Sequence, residues 1–212
     1  MSSRAWKPRT GSLNEPTGRV VARSTSFVGM LTLDLSDFPR LATDRLVLRE
    51  LSVDDAPALF AMRSDDRVMR HIGRPRAGAL EDAFTLIERI AHDRSANEGI
   101  TWGLSVHGDD TLIGTIGYYR LKLEHHRAEI GYMLGFDHWG KGLMGEALDA
   151  AVACGFERFK FHSIEAVTDP RNGPSNKLLE RHGFAREGLL RENYYWNGEF
   201  QDSAVWAKLA PR

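Results

Sequence analysis

The stretch GFDHWGKGLMGEAL, residues 135–148, has the glycine spacing of a phosphate-binding turn. Counted from Gly135, it reads G-x-x-x-x-G-K and then Gly142, where a nucleoside-triphosphate P-loop has Ser or Thr to hold magnesium. Counted from Trp139, it is a glycine-rich turn that enters a helix, and the free N–H groups at such a helix start could bind any pyrophosphate. The stretch by itself leaves both interpretations open.

The cysteine and histidine residues do not form a recognisable metal or disulfide framework. Cys154 is the single cysteine, which excludes an intrachain disulfide and a multi-cysteine zinc site and fits a reducing, cytoplasmic compartment. Its apolar neighbours in AVACGF predict a buried thiol rather than a nucleophile. His71, His125, His126 and His182 lack the spacing of metal ligands. We therefore predict that no metal is bound.

The composition is that of an ordinary protein with one medium-sized domain. The chain has 212 residues, of which 42% are hydrophobic and 27% are charged. Lys and Arg total 28 against 29 for Asp and Glu, so the net charge of -1 gives no general attraction to nucleic acid or to an anionic membrane. We expect neither as a partner, and the sequence leaves monomer and homodimer both open.

The first 29 residues differ in composition from the rest of the chain. They carry five basic residues against Glu15 alone, are rich in Ser, Thr, Gly and Pro, and show no sustained apolar period. We predict a flexible N-terminal extension over residues 1–40 and one folded domain over residues 41–212. An organellar transit peptide and a translation start at Met30 are the alternatives.

Hydrophobic periodicity predicts regular elements from the start of this domain. Residues 45–51 alternate as a half-buried strand. Ser52 then begins a helix that has acidic residues and a proline in its first turn. A turn-rich link over residues 64–78 leads to a second helix, residues 80–93. One face of this second helix is predicted to be buried: Leu80, Phe84, Ile87 and Ile90.

Three strands with short connections follow, and short connections predict antiparallel pairing. Their ranges are residues 100–108, 111–123 and 127–134. A helix (141–159), a strand (163–169), a helix (173–183) and a final strand pair around residues 186–193 and 203–209 complete the chain. The fold class is therefore α+β, with a mixed, largely antiparallel sheet flanked by helices. A parallel crossover is predicted only at the glycine-rich helix.

This order of elements argues against the triphosphatase interpretation. A P-loop normally follows an early strand in a series of βα units, whereas here three antiparallel strands come first. Gly142 also supplies no hydroxyl for magnesium.

Four ordered blocks resemble a known family: RLATDRLVLREL, AEIGYMLGFDHWGKGLMGEAL, SIEAVTDPRNGPSNKLLERHGF and YYWNGEFQDSAVWAKL. Together they cover about residues 41–209 and resemble the GNAT acetyltransferases, in particular the branch of bacterial ribosomal-protein N-terminal acetyltransferases of the RimJ and RimL type. The resemblance implies a GNAT-type fold, acetyl-CoA as the acetyl donor and no metal.

The resemblance also implies which residues bind the cofactor. The family's Q/R-x-x-G-x-G/A loop maps onto residues 139–144, with Trp139 and Met144 departing from the pattern at its first and last positions. Backbone N–H groups and the helix dipole capture phosphate, so these side chains matter less than their number suggests. The implied loop residues are Trp139, Gly140, Lys141, Gly142, Leu143, Met144 and Gly145. Lys141 as a solvated lysine is the alternative.

For the reaction itself, the resemblance implies a base on the strand beside the thioester. Glu129 is the candidate, acting through water, and alternation sends Glu129 and Tyr132 to opposite faces of this strand. Pairing of Glu129 with Arg127 or Lys122 as a surface residue is the alternative. Backbone N–H groups near Met133 and Leu134, freed by a β-bulge, are implied to face the acyl oxygen.

The leaving thiolate normally meets a tyrosine in the penultimate helix of the family, but this chain has Leu179 there. The N-terminal acetyltransferase branch suggests Ser175 as the replacement, with simple N-capping as its alternative role. Asn172 is implied to bind the pantetheine arm, with Asn176 and Lys177 nearby as cofactor contacts.

The acceptor is implied to bind between the link at residues 64–78 and the last hairpin. Tyr194, Tyr195 and Trp196 are the candidate lining residues, although aromatic packing is an equally simple role. The arginines of this link would suit an acidic acceptor better than a polycationic one. We expect an N-acetyltransferase that acts on a protein or peptide N-terminus or on a small amine. A non-catalytic acyl-CoA-binding sensor is the alternative.

Overall fold

The structure is a computed structural model that describes residues 29–212, so the predictions for residues 1–28 lie outside the described residues. The strands are β1 (Leu41–Ala42), β2 (Leu46–Arg49), β3 (Ile100–Val106), β4 (Asp109–Lys122), β5 (Arg127–Leu134), β6 (Ser163–Thr168), β7 (Ala185–Trp196) and β8 (Glu199–Leu209). The helices are α1 (Ala56–Ser64), α2 (Asp66–Met69), α3 (Leu80–Ser95), α4 (Leu143–Glu157) and α5 (Gly173–Arg181).

The eight strands form one sheet in the order β1-β2-β3-β4-β5-β6-β8-β7. The pair β5 and β6 is parallel and the other neighbouring pairs are antiparallel. The helix that connects the parallel pair is α4, which begins at the glycine-rich turn. The predicted α+β class and the single parallel crossover are therefore confirmed.

Apolar side chains cover both faces of the sheet. One core cluster lies against α4 and α5 and includes Trp102, Tyr118 and Phe161. The second lies against α1, α2 and α3. Side chains along β5 alternate between the two faces of the sheet, so Ile130 packs in the first cluster and Met133 packs in the second.

Two local predictions need correction. In α3, Ile87 is buried as predicted, but Phe84 is exposed, because the buried stripe passes through Ala83 rather than Phe84 at that turn of the helix. The link at residues 64–78 contains the short helix α2, whose first turn is capped by the side chain of Asp65.

The packed domain begins before residue 41. Leu33 and Leu35 belong to the first core cluster, and Leu35 is 1% exposed. The backbone N–H of Leu31 donates to Leu123 O at 3.1 Å, and the indole of Trp102 donates to Pro39 O at 2.7 Å. Residues 31–40 are thus an ordered part of the core rather than an extension, since burying them removes large leucine side chains from water.

Between residues 29 and 212, no helix is both long enough and apolar enough to cross a membrane.

Candidate active site

The parallel strands β5 and β6 separate part-way along the sheet. They pair only from Arg127–Ser163 to Glu129–Glu165, and beyond that point β6 continues to pair with β8 alone. The remaining residues of β5, 130–134, therefore face an opening on one edge. The backbone groups on that edge are free to bind a ligand, because each strand residue directs its N–H and C=O to one side.

Alternation identifies which N–H groups point into the opening. Gly135 N donates to Ile113 O of the neighbouring strand at 2.8 Å, so Leu134 and Tyr132 direct their N–H groups the other way. Met133 is paired with Thr115 and its N–H faces β4. Of the two predicted backbone positions, the geometry supports Leu134 and contradicts Met133.

The predicted β-bulge near Met133 and Leu134 is also wrong. Strands β4 and β5 pair residue for residue from Gly114–Leu134 to Tyr119–Glu129, and the register shift lies further along, between Tyr119 and Lys122. The opening instead comes from the separation of β5 and β6, a long-range property of the sheet.

The glycine-rich turn lies directly after β5 and leads into α4. Gly140 and Gly142 have φ of 71° and 75°, a left-handed conformation that strains residues with a side chain. Gly142 is the N-cap of α4, so the N–H groups of Leu143, Met144 and Gly145 have no partner within the helix. These donors and the helix dipole form a cradle that fits a pyrophosphate.

The side chains of this turn play different roles from its backbone. Leu143 and Met144 are buried in the first core cluster, which anchors the helix start. Trp139 donates from its indole nitrogen to Leu134 O at 2.8 Å, so this departure from the family pattern fastens the turn to the opened strand. Lys141 is exposed beside the cradle and could add charge to it.

A hydrogen-bond network that the sequence did not predict stabilises the glycine-rich turn. The guanidinium of Arg45 donates to Glu146 Oε2 at 2.7 Å and to Lys141 O at 2.9 Å. Glu146 also accepts from the hydroxyl of Thr43 and from Arg45 N. Although burial opposes ionisation, these hydrogen bonds lower the pKa of Glu146. The partners are about a hundred residues apart, so no local signal could have found them.

Ser175 lies across the opening from β5. Its hydroxyl is 2.7 Å from the hydroxyl of Tyr132, and this contact joins β5 to the helix that follows β6. Burial raises the pKa of Tyr132 to about 12, so its hydroxyl keeps its proton at neutral pH. The capping role considered for Ser175 belongs instead to Asn172, whose side chain accepts from Ser175 N at 3.2 Å.

The two remaining cofactor-binding candidates on α5, Asn176 and Lys177, differ in the contacts that they already make within the protein. Asn176 accepts from the hydroxyl of Thr168 at 2.6 Å and donates to Pro170 O at 3.0 Å, so it fastens α5 to the end of β6. Its amide therefore has a structural role beside any cofactor contact. Lys177 is exposed and free of these contacts.

Glu129 lies on the opposite face of β5 from Tyr132, as alternation predicted. Its residue is 9% exposed, and its carboxylate accepts from Arg120 at 3.0 Å and 3.2 Å. The alternative role for Glu129 named Arg127 or Lys122 as its partner, but the partner is Arg120, because the irregular pairing after Tyr119 turns Arg120 toward Glu129. Burial and then the nearby Glu129 raise the pKa of Tyr119.

A groove of about 330 Å³ lies between the link at residues 64–78 and the last hairpin. Trp196 lines it, and Tyr194 packs its hydroxyl directly against Gly73 of the link. Tyr195 points to the other side of the hairpin, where it is 61% exposed and packs on Phe200, so it does not line the groove. The groove residues are Arg70, His71, Arg171, Trp196, Asn197, Glu199 and Gln201.

Over residues 29–212, no cluster of three or more His, Cys, Asp or Glu side chains has the arrangement of a metal site. Cys154 is buried, and burial raises the pKa of its thiol to about 11.

Comparison with known proteins assigns the chain to a family. The Acetyltransferase (GNAT) domain model matches residues 45–185. The uncharacterised N-acetyltransferase YoaA of Bacillus subtilis (strain 168) is 39% identical over 175 residues, which cover 82% of this chain and 99% of YoaA. The ribosomal protein uS5-alanine N-acetyltransferase of Escherichia coli (strain K12) is 28% identical over 180 residues, which cover 81% of this chain and 91% of that enzyme.

A solved structure shows the same fold. RimL, the ribosomal L7/L12 α-N-protein acetyltransferase in complex with coenzyme A, superposes with a TM-score of 0.75 over 81% of this chain and 98% of RimL, at 18% sequence identity. Such low identity establishes the fold and not the substrate. The chain belongs to the GNAT acetyltransferase family, and it is an N-acetyltransferase.

Proposed function

We propose that this protein transfers the acetyl group of acetyl-CoA to the α-amine of a protein or peptide N-terminus. The observation that carries the proposal is the arrangement around the opening between β5 and β6. Glu129 and the acceptor groove lie on one face of the sheet, and the hydroxyl pair of Tyr132 and Ser175 lies on the other. The amine and the leaving group can then approach the acyl carbon from different sides.

The residues of the opening fit coenzyme A. The free N–H groups at the start of α4 suit the pyrophosphate, and the edge of β5 offers donors to an extended pantetheine arm. When bound, acetyl-CoA supplies an activated thioester. The N–H groups of Tyr132 and Leu134 point into the opening, and they are the candidate donors to the thioester carbonyl, where negative charge grows during the reaction.

Glu129 is the proposed general base. An amine must lose a proton to complete the new N–C bond, and a buried carboxylate on the acceptor face can take it through a water molecule. Arg120 holds the carboxylate in one orientation, which favours transfer along a fixed path.

Ser175 and Tyr132 are proposed to stabilise the leaving sulfur. The two hydroxyls share one hydrogen bond, which leaves one O–H free to donate into the opening. Donation of a hydrogen bond is sufficient here, because a thiolate whose thiol has a pKa of about 8.5 can depart without full protonation.

The acceptor assignment rests on the E. coli relative, whose name specifies an alanine of ribosomal protein uS5, and on an open groove that suits an extended chain. A small-molecule amine is the second candidate, because the groove is also of a size that holds a small ligand. A non-catalytic acyl-CoA sensor is the third, and it would bind acetyl-CoA without releasing thiol.

The test is thiol release from acetyl-CoA with short peptides that begin with Ala or Ser and with a set of small amines. We expect peptide-dependent release, with the acetyl group found on the α-amine by mass spectrometry. The control is the same peptides with a blocked N-terminus and one internal lysine. Release with small amines alone would reject the peptide proposal, and binding without any release would favour the sensor.

A further inference from the structure

His71 and Asp169 form a hydrogen-bonded pair in the wall of the acceptor groove. Nδ1 of His71 lies 2.9 Å from Oδ2 of Asp169, and the Asp169 and His71 side chains are 8% and 26% exposed. Burial alone would raise the pKa of Asp169, but hydrogen bonds from Arg171 and His71 lower it to about 2. Asp169 is therefore a carboxylate at neutral pH, and it favours the imidazole tautomer whose Nδ1 carries the proton.

The other ring nitrogen of His71 is available to a ligand. Nε2 makes no hydrogen bond to any described residue, and it is not one of the buried side-chain nitrogen and oxygen atoms that lack a partner. It is therefore accessible to solvent. His71 itself lines the groove. The charged groups around the ring are Arg70, Asp169, Arg171 and Glu199, two cations and two anions.

The pair lies at the open end of the candidate active site. Asp169 is four residues beyond the last β5-paired residue of β6, and Met133 is four residues beyond the corresponding residue of β5. Both residues therefore lie beyond the Glu129–Glu165 pair, which is the closed end of the opening.

Acetylation of an α-ammonium requires the nitrogen to lose two protons. The first must leave before the lone pair can attack the acetyl carbon, and the second leaves as the N–C bond is completed. The C–S bond breaks with its electron pair on sulfur, which takes one proton, so one proton is released to solvent overall. Glu129, which lies near the closed end, is suited to only one of these two transfers.

We propose that His71, oriented by Asp169, is a further catalytic residue that accepts the first proton from the acceptor's α-ammonium in the groove. The proton leaves to solvent from Nε2, and Glu129 takes the second proton through water. This inference rests on the proposed α-amine acceptor. An imidazole suits that acceptor because the ordinary pKa of an α-amine, about 8, is close to that of an imidazole, about 6.5, so a proton can pass between them. The ordinary pKa of a lysine amine, about 10.4, is too far above it.

A purely structural role would look different in kinetics. The pair also connects the link to the end of β6, so its loss could simply disturb the groove. His71→Asn retains a donor to Asp169 where Nδ1 was, and His71→Gln has an amide near the position of Nε2. Neither side chain accepts a proton, so both variants remove the proposed chemistry while each retains part of the contact.

The experiment measures kcat/KM for the best Ala- or Ser-initial peptide between pH 6 and 9.5, with the wild type, both His71 variants and Glu129→Gln. We expect the His71 variants to lose up to about tenfold at pH 7, because about a tenth of an α-amine with pKa 8 is already neutral there. The loss should vanish near pH 9. The control acceptor is a peptide of the same sequence in which a hydrazide replaces the N-terminal amine, so that its nucleophile is unprotonated at neutral pH. The wild type and the His71 variants should acetylate it equally.

Two outcomes would overturn the inference. One is an unchanged pH profile in both His71 variants, and the other is an equal loss with both acceptors at every pH, which indicates a structural role. Glu129→Gln should slow both acceptors, because the second proton leaves in either case. If no peptide is acetylated, the proposed acceptor fails; if peptides react without dependence on His71, only the inference fails.

Discussion

Glu129 is enclosed by the sheet and held by Arg120, and this position allows a specific test of its proposed role. We expect Glu129→Gln to lower turnover by about 10²-fold or more while acetyl-CoA affinity is unchanged, because the amide has the same shape but cannot take a proton. Partial recovery should appear at high pH, where solvent base is abundant. Steady-state kinetics and isothermal titration measure the two quantities.

Glu165 is the matched control for that variant. It lies opposite Glu129 on β6 and pairs with Arg127. Glu165→Gln removes a carboxylate of the same sheet region without touching the proposed chemistry, so its turnover should remain that of the wild type. Wild-type turnover in Glu129→Gln across the pH range would reject the base assignment and leave substrate positioning to explain catalysis.

The hydroxyls of Ser175 and Tyr132, on the other face of the sheet, should contribute less to turnover than Glu129 does. We expect Ser175→Ala and Tyr132→Phe to lower turnover by less than Glu129→Gln does, because the thiolate departs without full protonation. Both variants should still bind acetyl-CoA. The defect should shrink toward pH 9, where less help is needed for the thiolate. A loss as large as that of Glu129→Gln in either variant would contradict this ranking.

At the scale of elements, the start of α4 requires a left-handed backbone conformation at Gly142. Gly142 has φ of 75°, and the nearest group to an added Cβ is the Arg45 guanidinium at 3.5 Å, so the conformation rather than crowding requires glycine. We expect Gly142→Val to lower the free energy of unfolding by about 1–2 kcal/mol and to weaken acetyl-CoA binding, because the N–H cradle is displaced. Chemical denaturation and titration calorimetry measure the two effects.

Gly108, in the hairpin between β3 and β4, offers the matched control. Its φ is 81° and its added Cβ would meet open space. Gly108→Val should therefore have a similar cost in unfolding free energy and no effect on acetyl-CoA affinity. If the two variants bind the cofactor equally well, the glycine-rich turn is not part of the site.

At the scale of the whole molecule, ligand binding should stabilise the domain selectively. Acetyl-CoA at one hundred times its Kd should add about 2.7 kcal/mol to the free energy of unfolding. For a domain of this size that raises Tm by about 5–10 °C. ATP with magnesium should have no comparable effect, because Gly142 has no hydroxyl for the metal. Equal stabilisation by the two ligands in thermal denaturation would contradict the assignment of the turn.

The N-terminal boundary gives the second whole-molecule prediction. We expect a chain that begins at Met30 to fold and to bind acetyl-CoA, because Leu31, Leu33 and Leu35 are retained. A chain that begins at Phe38 should be unstable, and Leu35→Ala in the full chain should cost about 2–5 kcal/mol. Circular dichroism and denaturation of the three proteins test the boundary. Failure of the Met30 chain would make residues 1–29 integral to the domain.

The amino-acid sequence determined the local elements and the type of site. Period-two alternation of hydropathy defined β2. On β5, the alternating direction of strand side chains placed Glu129 and Tyr132 on opposite faces. Short turns predicted the antiparallel order, and the glycine spacing before α4 predicted the phosphate-binding turn. These features follow from contacts between residues close in the chain, so a single sequence contains the information that specifies them.

Only the tertiary structure decided how distant residues meet. The opening arises from the separation of β5 and β6 rather than from a bulge, and the packed segment at Leu33 and Leu35 was not recognised from its composition. His71 meets Asp169 across 98 positions, and Tyr132 meets Ser175 across 43. Each such contact depends on how whole elements pack on the two faces of the sheet, and neither periodicity nor turn chemistry encodes that packing in any short stretch of the chain.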